Sequence, residues 1–167
     1  MRCIEYNKNT QTMKKIINTW NDNPRYNCFG CGTRNPYGLH MEFYEDGDYI
    51  VSRWQPQPNY QGWIDTMHGG ILSTLIDEVS SWVVTRKMQT CGYTTNLNVK
   101  FRKAISTNEP MITVRGKAVR QLRNLLFIHA EILNDSGDVC VEGEVTYYMV
   151  DAERARKMGF EGCNVEE

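Results

Sequence analysis

The sequence has no apolar run that approaches the roughly 18–20 residues needed to cross a bilayer, and its first residues carry no signal-peptide pattern. Charge of one sign is not in excess, because 19 basic and 20 acidic residues give a formal net charge of −1. No internal repeat or low-complexity segment is present. We therefore expect a cytoplasmic protein that binds neither a membrane nor nucleic acid, and an anionic ligand must be held by local cations.

Cysteine is also sparse, since six in 167 residues are too few for a disulfide scaffold and are predicted to be free thiols. Cys28 and Cys31 form one CxxC pair, but a zinc site needs further ligands. His40 is a candidate that would make a three-ligand set with them. The interpretation we favour is that both cysteines are small loop residues packed under the fold, so we expect no metal and no cofactor.

The composition is that of one globular domain, with 41% hydrophobic and 23% charged residues in a length typical of a single domain. Apolar residues at helical spacing predict a short amphipathic helix over residues 10–22. A loop rich in glycine, proline and asparagine follows at residues 23–38. We therefore predict an N-terminal helical extension, residues 1–22, and a single domain, residues 23–167.

The domain begins with a hairpin, continues with one long helix and ends with a run of strands. Alternating segments at 39–45 and 48–54 flank Asp46-Gly47, a strong turn signal. A wide apolar arc from Met67 to about Met88 predicts a helix buried on most sides, with its start near Asp65 or Thr66. Further alternating segments lie at 93–104, 110–122, 125–134 and 138–150. This order predicts an α+β domain in which one antiparallel sheet wraps around one helix.

His68, Gly69 and Gly70 stand at the mouth of the predicted helix. Glycine costs a helix roughly 1 kcal/mol relative to alanine, so two in the first turn point to a close backbone approach. The first N–H groups of a helix have no intrahelical acceptor, and Gly69 and Gly70 are therefore predicted to present bare donors to a carbonyl oxygen or an oxyanion. A packing role for the two glycines is the alternative.

Asp77 lies in an otherwise apolar helical stretch, where a carboxylate is costly unless it is hydrogen-bonded or used in chemistry. Bonding to neighbouring serines is the structural alternative. Glu78 ranks second because the next helical position turns about 100° away, toward Ser81 and solvent. Gly70 and Asp77 are about 10 Å apart along one helix. Two antiparallel copies would bring them together, which predicts a homodimer with composite sites.

HGGILSTLIDE, lying between a hairpin and GYTTNLNVKFRKAI, resembles the hotdog-fold thioesterase superfamily, in particular the acyl-CoA thioesterases of the phenylacetic-acid-pathway branch. The upstream CFGCGTRNPYGLHMEF resembles a loop seen in many members. The resemblance spans about residues 28–150. It implies a hotdog fold, hydrolysis of an acyl-CoA to a free acid and CoA without a cofactor, and a homodimer that associates into a dimer of dimers.

The resemblance also implies roles for individual residues. Asp77 matches the helical carboxylate that acts as general base on water or as nucleophile on the thioester carbonyl. Gly69 matches the backbone donor that polarises this carbonyl, with Gly70 beside it and His68 shaping the turn. Thr94 falls where some relatives place a hydroxyl that positions the water. Strict alternation along this strand puts Thr94 on the face opposite Leu97.

Substrate contacts are predicted before the helix and at strand ends. Where several relatives carry an asparagine six residues before the histidine, this chain has Gly62, and Gln61 or Asn59 is the candidate substitute. The phosphates of CoA need local cations. The candidates are Arg102, Lys103, Arg120 and Arg123. Exposed strand ends are commonly basic, which is the alternative interpretation of these four residues.

Two other functions are compatible with the resemblance, since the same fold serves different reactions. Hydratases and dehydratases need a histidine–carboxylate pair facing the α and β carbons of the acyl chain, whereas His68 directly precedes the glycine pair, which favours a role in the turn. A non-catalytic acyl-CoA sensor is the other alternative. Asp77 argues against a sensor, because a pure binder gains nothing from a carboxylate near an anionic ligand.

Overall fold

One large antiparallel sheet and one long helix make up most of the computed structural model, which describes residues 13–166. The helices are α1 (Gly69–Lys87) and α2 (Ala152–Lys157). The strands are β1 (Lys14–Lys15), β2 (Tyr44–Asp46), β3 (Tyr49–Trp54), β4 (Gln61–Trp63), β5 (Thr66–Met67), β6 (Gly92–Phe101), β7 (Ile112–Leu122), β8 (Leu125–Leu133) and β9 (Val139–Met149). The main sheet has the order β1-β2-β3-β7-β8-β9-β6, and β4 and β5 form a separate hairpin. The predicted α+β arrangement is confirmed.

Helix α1 packs against strands β3 and β6 to β9 and supplies the centre of the core. Leu75, Ile76 and Val79 on α1 are fully buried. Burying such a side chain stabilises the fold by about 1.5–3 kcal/mol. The sheet approaches the helix closely at Gly143, where an added Cβ would lie 2.4 Å from Ile76. The wide apolar arc predicted from the sequence is therefore the part of the helix that the sheet encloses.

Neither helix of the described chain is long and apolar enough to span a bilayer.

The predicted N-terminal helix is wrong for residues 13–22, the part of 10–22 that the structure describes. Lys14 and Lys15 pair antiparallel with Glu45 and Tyr44 as β1, and the buried Ile16 bridges to Val165. A short isolated helix is marginal in water, so backbone pairing to an available sheet edge overrides the helical spacing. Residues 14–15 therefore extend the main sheet, and residues 1–12 lie outside the described residues.

The segment before α1 also differs from the prediction. Strands β4 and β5 form a hairpin, and Asp65 in its turn adopts a positive φ of 55°. The helix consequently begins at Gly69, not near Asp65 or Thr66, because the chain is held extended until His68. The four long strands after the helix, by contrast, lie within three residues of their predicted bounds.

Strand β6 lies at one edge of the sheet, and among residues 13–166 its one partner strand is β9. The register shifts between Thr94 and Asn96, so Thr95 is the extra residue of a bulge. Because a bulge resets the side-chain alternation, Thr94 lies on the same face as Leu97, which corrects the strict alternation expected from the sequence. Tyr93, Leu97 and Phe101 on this strand are large apolar residues that remain exposed in the single chain.

Candidate functional site

Asp77 lies near the middle of α1, and its carboxylate faces the start of β6. Thr94 Oγ1 donates to Asp77 Oδ1 at 2.7 Å, and Tyr147 Oη donates to the same oxygen at 3.2 Å. The Tyr147 hydroxyl also lies 3.1 Å from the Asp77 carbonyl oxygen. The partners are thus hydroxyls from two paired strands, not the serines of α1, whose Oγ atoms donate to helix carbonyls.

The three residues owe their contact to the bulge in β6 and to its pairing with β9. Thr94 is opposite Tyr147 in the register, so both side chains point toward the helix. Tyr147 is buried while Asp77 is partly accessible. Burial, together with the nearby Asp77 carboxylate, raises the pKa of Tyr147, which keeps its hydroxyl protonated and able to donate. The two hydroxyls therefore orient the Asp77 carboxylate through hydrogen bonds to its Oδ1 atom.

Among residues 13–166, two backbone N–H groups at the N-terminus of α1 have no acceptor, those of Gly69 and Ile71. His68 is the N-cap, and its Nδ1 accepts from the Gly70 N–H at 2.8 Å. Within residues 13–166 no acceptor is recorded for the Gly69 N–H. The expectation of two bare donors is therefore wrong for Gly70, because the imidazole cap already satisfies it. Gly69 stands next to Phe101, whose ring would lie 3.5 Å from an added Cβ.

Asp77 and Gly69 lie near opposite ends of strand β6. Asp77 contacts Thr94 close to the start of the strand, and Gly69 adjoins Phe101 at its end. The eight-residue separation along α1 corresponds to about 12 Å. A thioester carbonyl held by Gly69 is consequently out of reach of the Asp77 carboxylate of the same chain.

Glu78 is half-buried under a loop and not simply exposed to solvent, which corrects the expectation from helical geometry. The Cys28–Cys31 loop covers this side of α1, and Cys28 Sγ lies 3.6 Å from Glu78 Oε1. The Trp82 Nε1–H donates to the same Glu78 oxygen at 3.3 Å. Burial raises the pKa of Glu78 to about 7, and the neighbouring Cys28 adds to this. A hydrogen bond from Cys31 lowers the pKa of the Cys28 thiol to about 5, while the same bond and burial raise that of Cys31.

The five cysteines among the described residues are free thiols, as predicted. His40 does not join Cys28 and Cys31. Its Nε2 lies against the carbonyl oxygen of Asn35, and its backbone has a positive φ of 50°. The residue that completes a three-donor group with the two cysteines is Glu78. The sequence spacing offered no signal for this, because Glu78 is 50 positions from Cys28.

The four candidate phosphate-binding cations lie at two ends of the sheet. Arg102 and Lys103 follow the end of β6 and form ion pairs with Glu142 and Asp138. Arg120, over the ring of Phe127, and Arg123, in the β7–β8 turn, lie near the other end. The strand β9 separates the two ends by about 23 Å between residues 141 and 148. One chain therefore does not gather the four into a single patch.

Gln61 and Gly62 are on the exposed hairpin beside the N-terminus of α1. Gln61 pairs with Met67, and a Cβ at Gly62 would lie 3.2 Å from His68 Cα. Gly62 thus lets the hairpin pack against the helix cap.

Tyr147 is the residue at the Asp77 carboxylate that the sequence did not single out. Its signal would have been the register opposite Thr94, which strand periodicity alone does not provide.

Comparisons with known proteins agree with this architecture. The Thioesterase superfamily profile matches residues 65–141, which is under half of the chain. A hypothetical thioesterase from Streptococcus pneumoniae, solved with coenzyme A, is 22% identical in sequence and superimposes with a TM-score of 0.61. The match covers 66% of this chain and 88% of that chain. Zebra fish thioesterase superfamily member 2 has 20% identity, coverage of 66% and 81%, and a TM-score of 0.60.

A protein from Streptococcus mutans bound to acetyl-CoA has 14% identity, coverage of 66% and 88%, and a TM-score of 0.61. No curated protein matches the chain. Identities in this range establish the fold, so the chain has the hotdog fold that its sequence predicted. The finer assignment to the phenylacetic-acid-pathway branch stays a prediction.

Proposed function

We propose that the protein is an acyl-CoA thioesterase, which hydrolyses a thioester to a free acid and CoA. The observation that carries this proposal is the Asp77 carboxylate, held by Thr94 and Tyr147 at a partly accessible position that faces β6, the edge strand of the described sheet. The Thioesterase superfamily match covers both Asp77 and Thr94. The relatives solved with coenzyme A and acetyl-CoA support the choice of a CoA thioester as the substrate.

The reaction needs a nucleophile and a stabilised oxyanion. Asp77, as general base, takes a proton from a water molecule, and the hydroxide oxygen that results attacks the carbonyl carbon of the thioester. The carbonyl oxygen gains negative charge, which the Gly69 N–H at the positive end of α1 stabilises. Collapse of this intermediate breaks the C–S bond, and CoA leaves as its thiol after it receives the proton. Direct attack by the Asp77 carboxylate is the second route that the same geometry supports.

Each site is shared by two subunits in this proposal. Two β6 strands that pair antiparallel near Asn98 would place Thr94 of one chain opposite the partner's Phe101, and with it the partner's Gly69. This arrangement would also bury the exposed Leu97. The homodimer brings Asp77 and the Gly69 donor together, which one helix does not. A further dimer of dimers is a prediction of the resemblance.

The composite site has a direct test. Mixing Asp77→Asn subunits with Gly69→Val subunits should restore about one working site per mixed dimer, because one site of each pair then has both functional halves. Sedimentation velocity and exchange of labelled subunits establish that mixed dimers form. Absence of recovered activity in verified mixed dimers would rule out shared sites.

The same pairing gives the cations a common location. Antiparallel β6 strands bring the Arg102 end of one subunit beside the Arg123 end of the other, so cations that are separated in one chain would gather at each composite site. Arg102 and Lys103 are the candidates nearest the end of β6 that adjoins Gly69. Gln61 and Gly62 lie on the same side as the helix cap, where the pantetheine arm would pass.

The hydratase alternative is less well supported by the geometry. His68 Nδ1 is occupied by the Gly70 N–H, so the ring serves as a cap and its acceptor nitrogen is not free for proton abstraction. Its position at the start of α1 also separates it from the Asp77 carboxylate of the same chain. A sensor without catalysis leaves unexplained why two hydroxyls orient a carboxylate at the site.

The reaction is tested by measuring thiol release from short, long and aromatic acyl-CoAs by the purified protein. We expect at least one class to be hydrolysed with saturation, and hydrolysis to fall when pantetheine thioesters replace CoA thioesters. Absence of thiol release from every class would refute the thioesterase. Equal efficiency on pantetheine thioesters would instead show that the nucleotide is not recognised, and would point to a substrate carried on a protein.

A further inference from the structure

The loop before β2 and the central helix bring three metal-binding side chains together away from Asp77. Cys28, Cys31 and Glu78 offer two thiols and a carboxylate, and their ligand atoms all lie within 4.8 Å of one another. It is the one group of at least three such side chains found among residues 13–166. The two cysteines come from a turn, and Glu78 comes from a rigid helix 50 positions further along the chain.

The distance between Cys28 and Glu78 is that of two ligands in a tetrahedral coordination shell. A zinc ion holds sulfur at about 2.3 Å and carboxylate oxygen at about 2.0–2.2 Å. Tetrahedral angles then place sulfur and oxygen about 3.5–3.7 Å apart. Cys28 Sγ lies 3.6 Å from Glu78 Oε1 and 3.8 Å from Oε2. An ion therefore fits between these two donors with little movement of the chain, and the Cys31 sulfur lies within 4.8 Å of both.

The backbone around the donors is shaped for their approach. An added Cβ at Gly30 would lie 2.3 Å from Glu78 Cδ, so any side chain there would displace the carboxylate. The loop is closed by the Gly32 N–H, which donates to the Cys28 carbonyl at 3.1 Å. Hydrogen bonds from the Leu39 and Met41 N–H groups to the loop carbonyls anchor it to the rest of the chain. The donors are thus held in place by main-chain contacts.

Within residues 13–166 no cationic side chain pairs with the Glu78 carboxylate. None of the ion pairs in the described part of the chain includes Glu78, and its polar contacts are with the indole of Trp82 and with Cys28. The neighbouring charged side chain on α1 is Asp77, of the same sign. Even a half-buried carboxylate is costly when no cation compensates it. A bound divalent ion would supply the missing positive charge.

We propose that Cys28, Cys31 and Glu78 bind a zinc-class divalent ion, which ties the loop of residues 27–41 to the central helix. The three donors leave one tetrahedral position open. Cys28, Glu78 and Trp82 also line a cavity of about 400 Å³, from which water can reach that position. Tyr26 Oη, 3.0 Å from Cys31 Sγ, is placed as an outer hydrogen-bond partner of that sulfur.

The site is tested on the full-length, reduced protein with Zn²⁺ as the probe. The protein is equilibrated with Zn²⁺, dialysed extensively, and its metal content is measured by mass spectrometry. We expect about one zinc per chain. Substitution by Co²⁺ should produce a sulfur-to-cobalt charge-transfer absorption, which reports thiolate ligation directly. Less than about 0.1 zinc per chain in the wild-type protein would overturn the proposal.

Variants assign the donors. Cys28→Ser and Glu78→Gln should each retain at least about tenfold less zinc than the wild-type protein. Cys140→Ser and Asp77→Asn are matched controls, a thiol and a carboxylate outside the group, and should retain it. Equal retention by all four variants would show that zinc binds elsewhere and would overturn the site.

Two measurements on the wild-type protein do not depend on the variants folding. Zn²⁺ should raise Tm, and a chelator should reverse the rise, because binding to the folded chain stabilises it. Intact mass and thiol alkylation provide the second measurement. If a Cys28–Cys31 disulfide forms in air and the protein, once reduced, still retains no zinc, the metal site would be overturned in favour of a redox pair. These results are independent of thioester hydrolysis.

Discussion

Replacing Asp77 by asparagine separates the catalytic role of the carboxylate from its structural role. Asparagine has the same shape and retains an acceptor oxygen, so the hydrogen bonds from Thr94 Oγ1 at 2.7 Å and Tyr147 Oη at 3.2 Å can both persist. What disappears is the ability to take a proton or to attack a carbonyl. The variant should therefore fold and bind ligand while losing chemistry.

The expected size of the loss follows from these roles. A positioned general base contributes about 10²–10⁴-fold to a rate, which is about 2.7–5.4 kcal/mol of barrier. The hydrogen bonds to Asp77 change from charge-assisted to neutral, and each such change weakens a bond by about 1 kcal/mol. Thiol release should consequently fall at least a hundredfold, whereas the free energy of unfolding should change by about 2 kcal/mol or less.

The assay is thiol release under saturating acyl-CoA, paired with urea unfolding and with direct measurement of ligand binding. Glu153→Gln is a matched control, because Glu153 is an exposed helical carboxylate that pairs with Lys157 on α2. It should leave kcat within about twofold. An Asp77→Asn variant that folds and keeps a kcat within tenfold of the wild-type value would refute the assignment of Asp77.

Three further predictions concern groups around the site and the fold. Tyr147→Phe should lower kcat by roughly tenfold at nearly constant KM, because it removes a hydroxyl that orients Asp77; an unchanged kcat would contradict that role. Arg102→Gln and Lys103→Gln should raise KM for CoA thioesters and make it less dependent on salt, because both cations are exposed and their contacts with phosphate are screened by salt. The value of kcat should stay constant, since these contacts do not change in the chemical step, and an unchanged KM would exclude both residues as phosphate ligands. Burial acts to raise the pKa of Glu45, but hydrogen bonds from the basic end of α1 outweigh it and hold the pKa below its ordinary 4.5. Glu45→Gln should therefore lower the free energy of unfolding by about 1–3 kcal/mol at neutral pH, a difference that shrinks as pH falls through the lowered pKa; equal losses at neutral and strongly acidic pH would refute this.

The fold could be predicted where the pattern of a single segment is decisive. The apolar arc of α1 and the alternation of the four long strands depend on which residues point to one side of a regular element, and this repeats along the chain. The structure consequently places α1 at Gly69–Lys87 and the strands within three residues of expectation. The same periodicity failed for residues 13–22, where Ile16 pairs with a residue near the other end of the chain.

The candidate site was only partly predictable, for a similar reason. Asp77 stood out as a charge in an apolar stretch, and its partner Thr94 was placed at the site by the resemblance. The bulge that turns Thr94 toward the helix depends on the pairing of β6 with β9. The loop that covers Glu78 packs there through contacts made by residues 50 positions away. Neither feature has a signal within its own segment.

The amino-acid sequence by itself determined the secondary structure of the central helix and long strands, the wrapping of a sheet around that helix, and the presence of a carboxylate and a glycine pair on it. These are properties of local periodicity and of residue chemistry. The tertiary structure alone decided that Tyr147 joins Asp77, that His68 occupies the Gly70 N–H, and that Glu78 meets the CxxC pair. Each of these contacts joins groups whose separation depends on backbone twist, register and caps, and a one-residue shift in any of them would move the atoms apart.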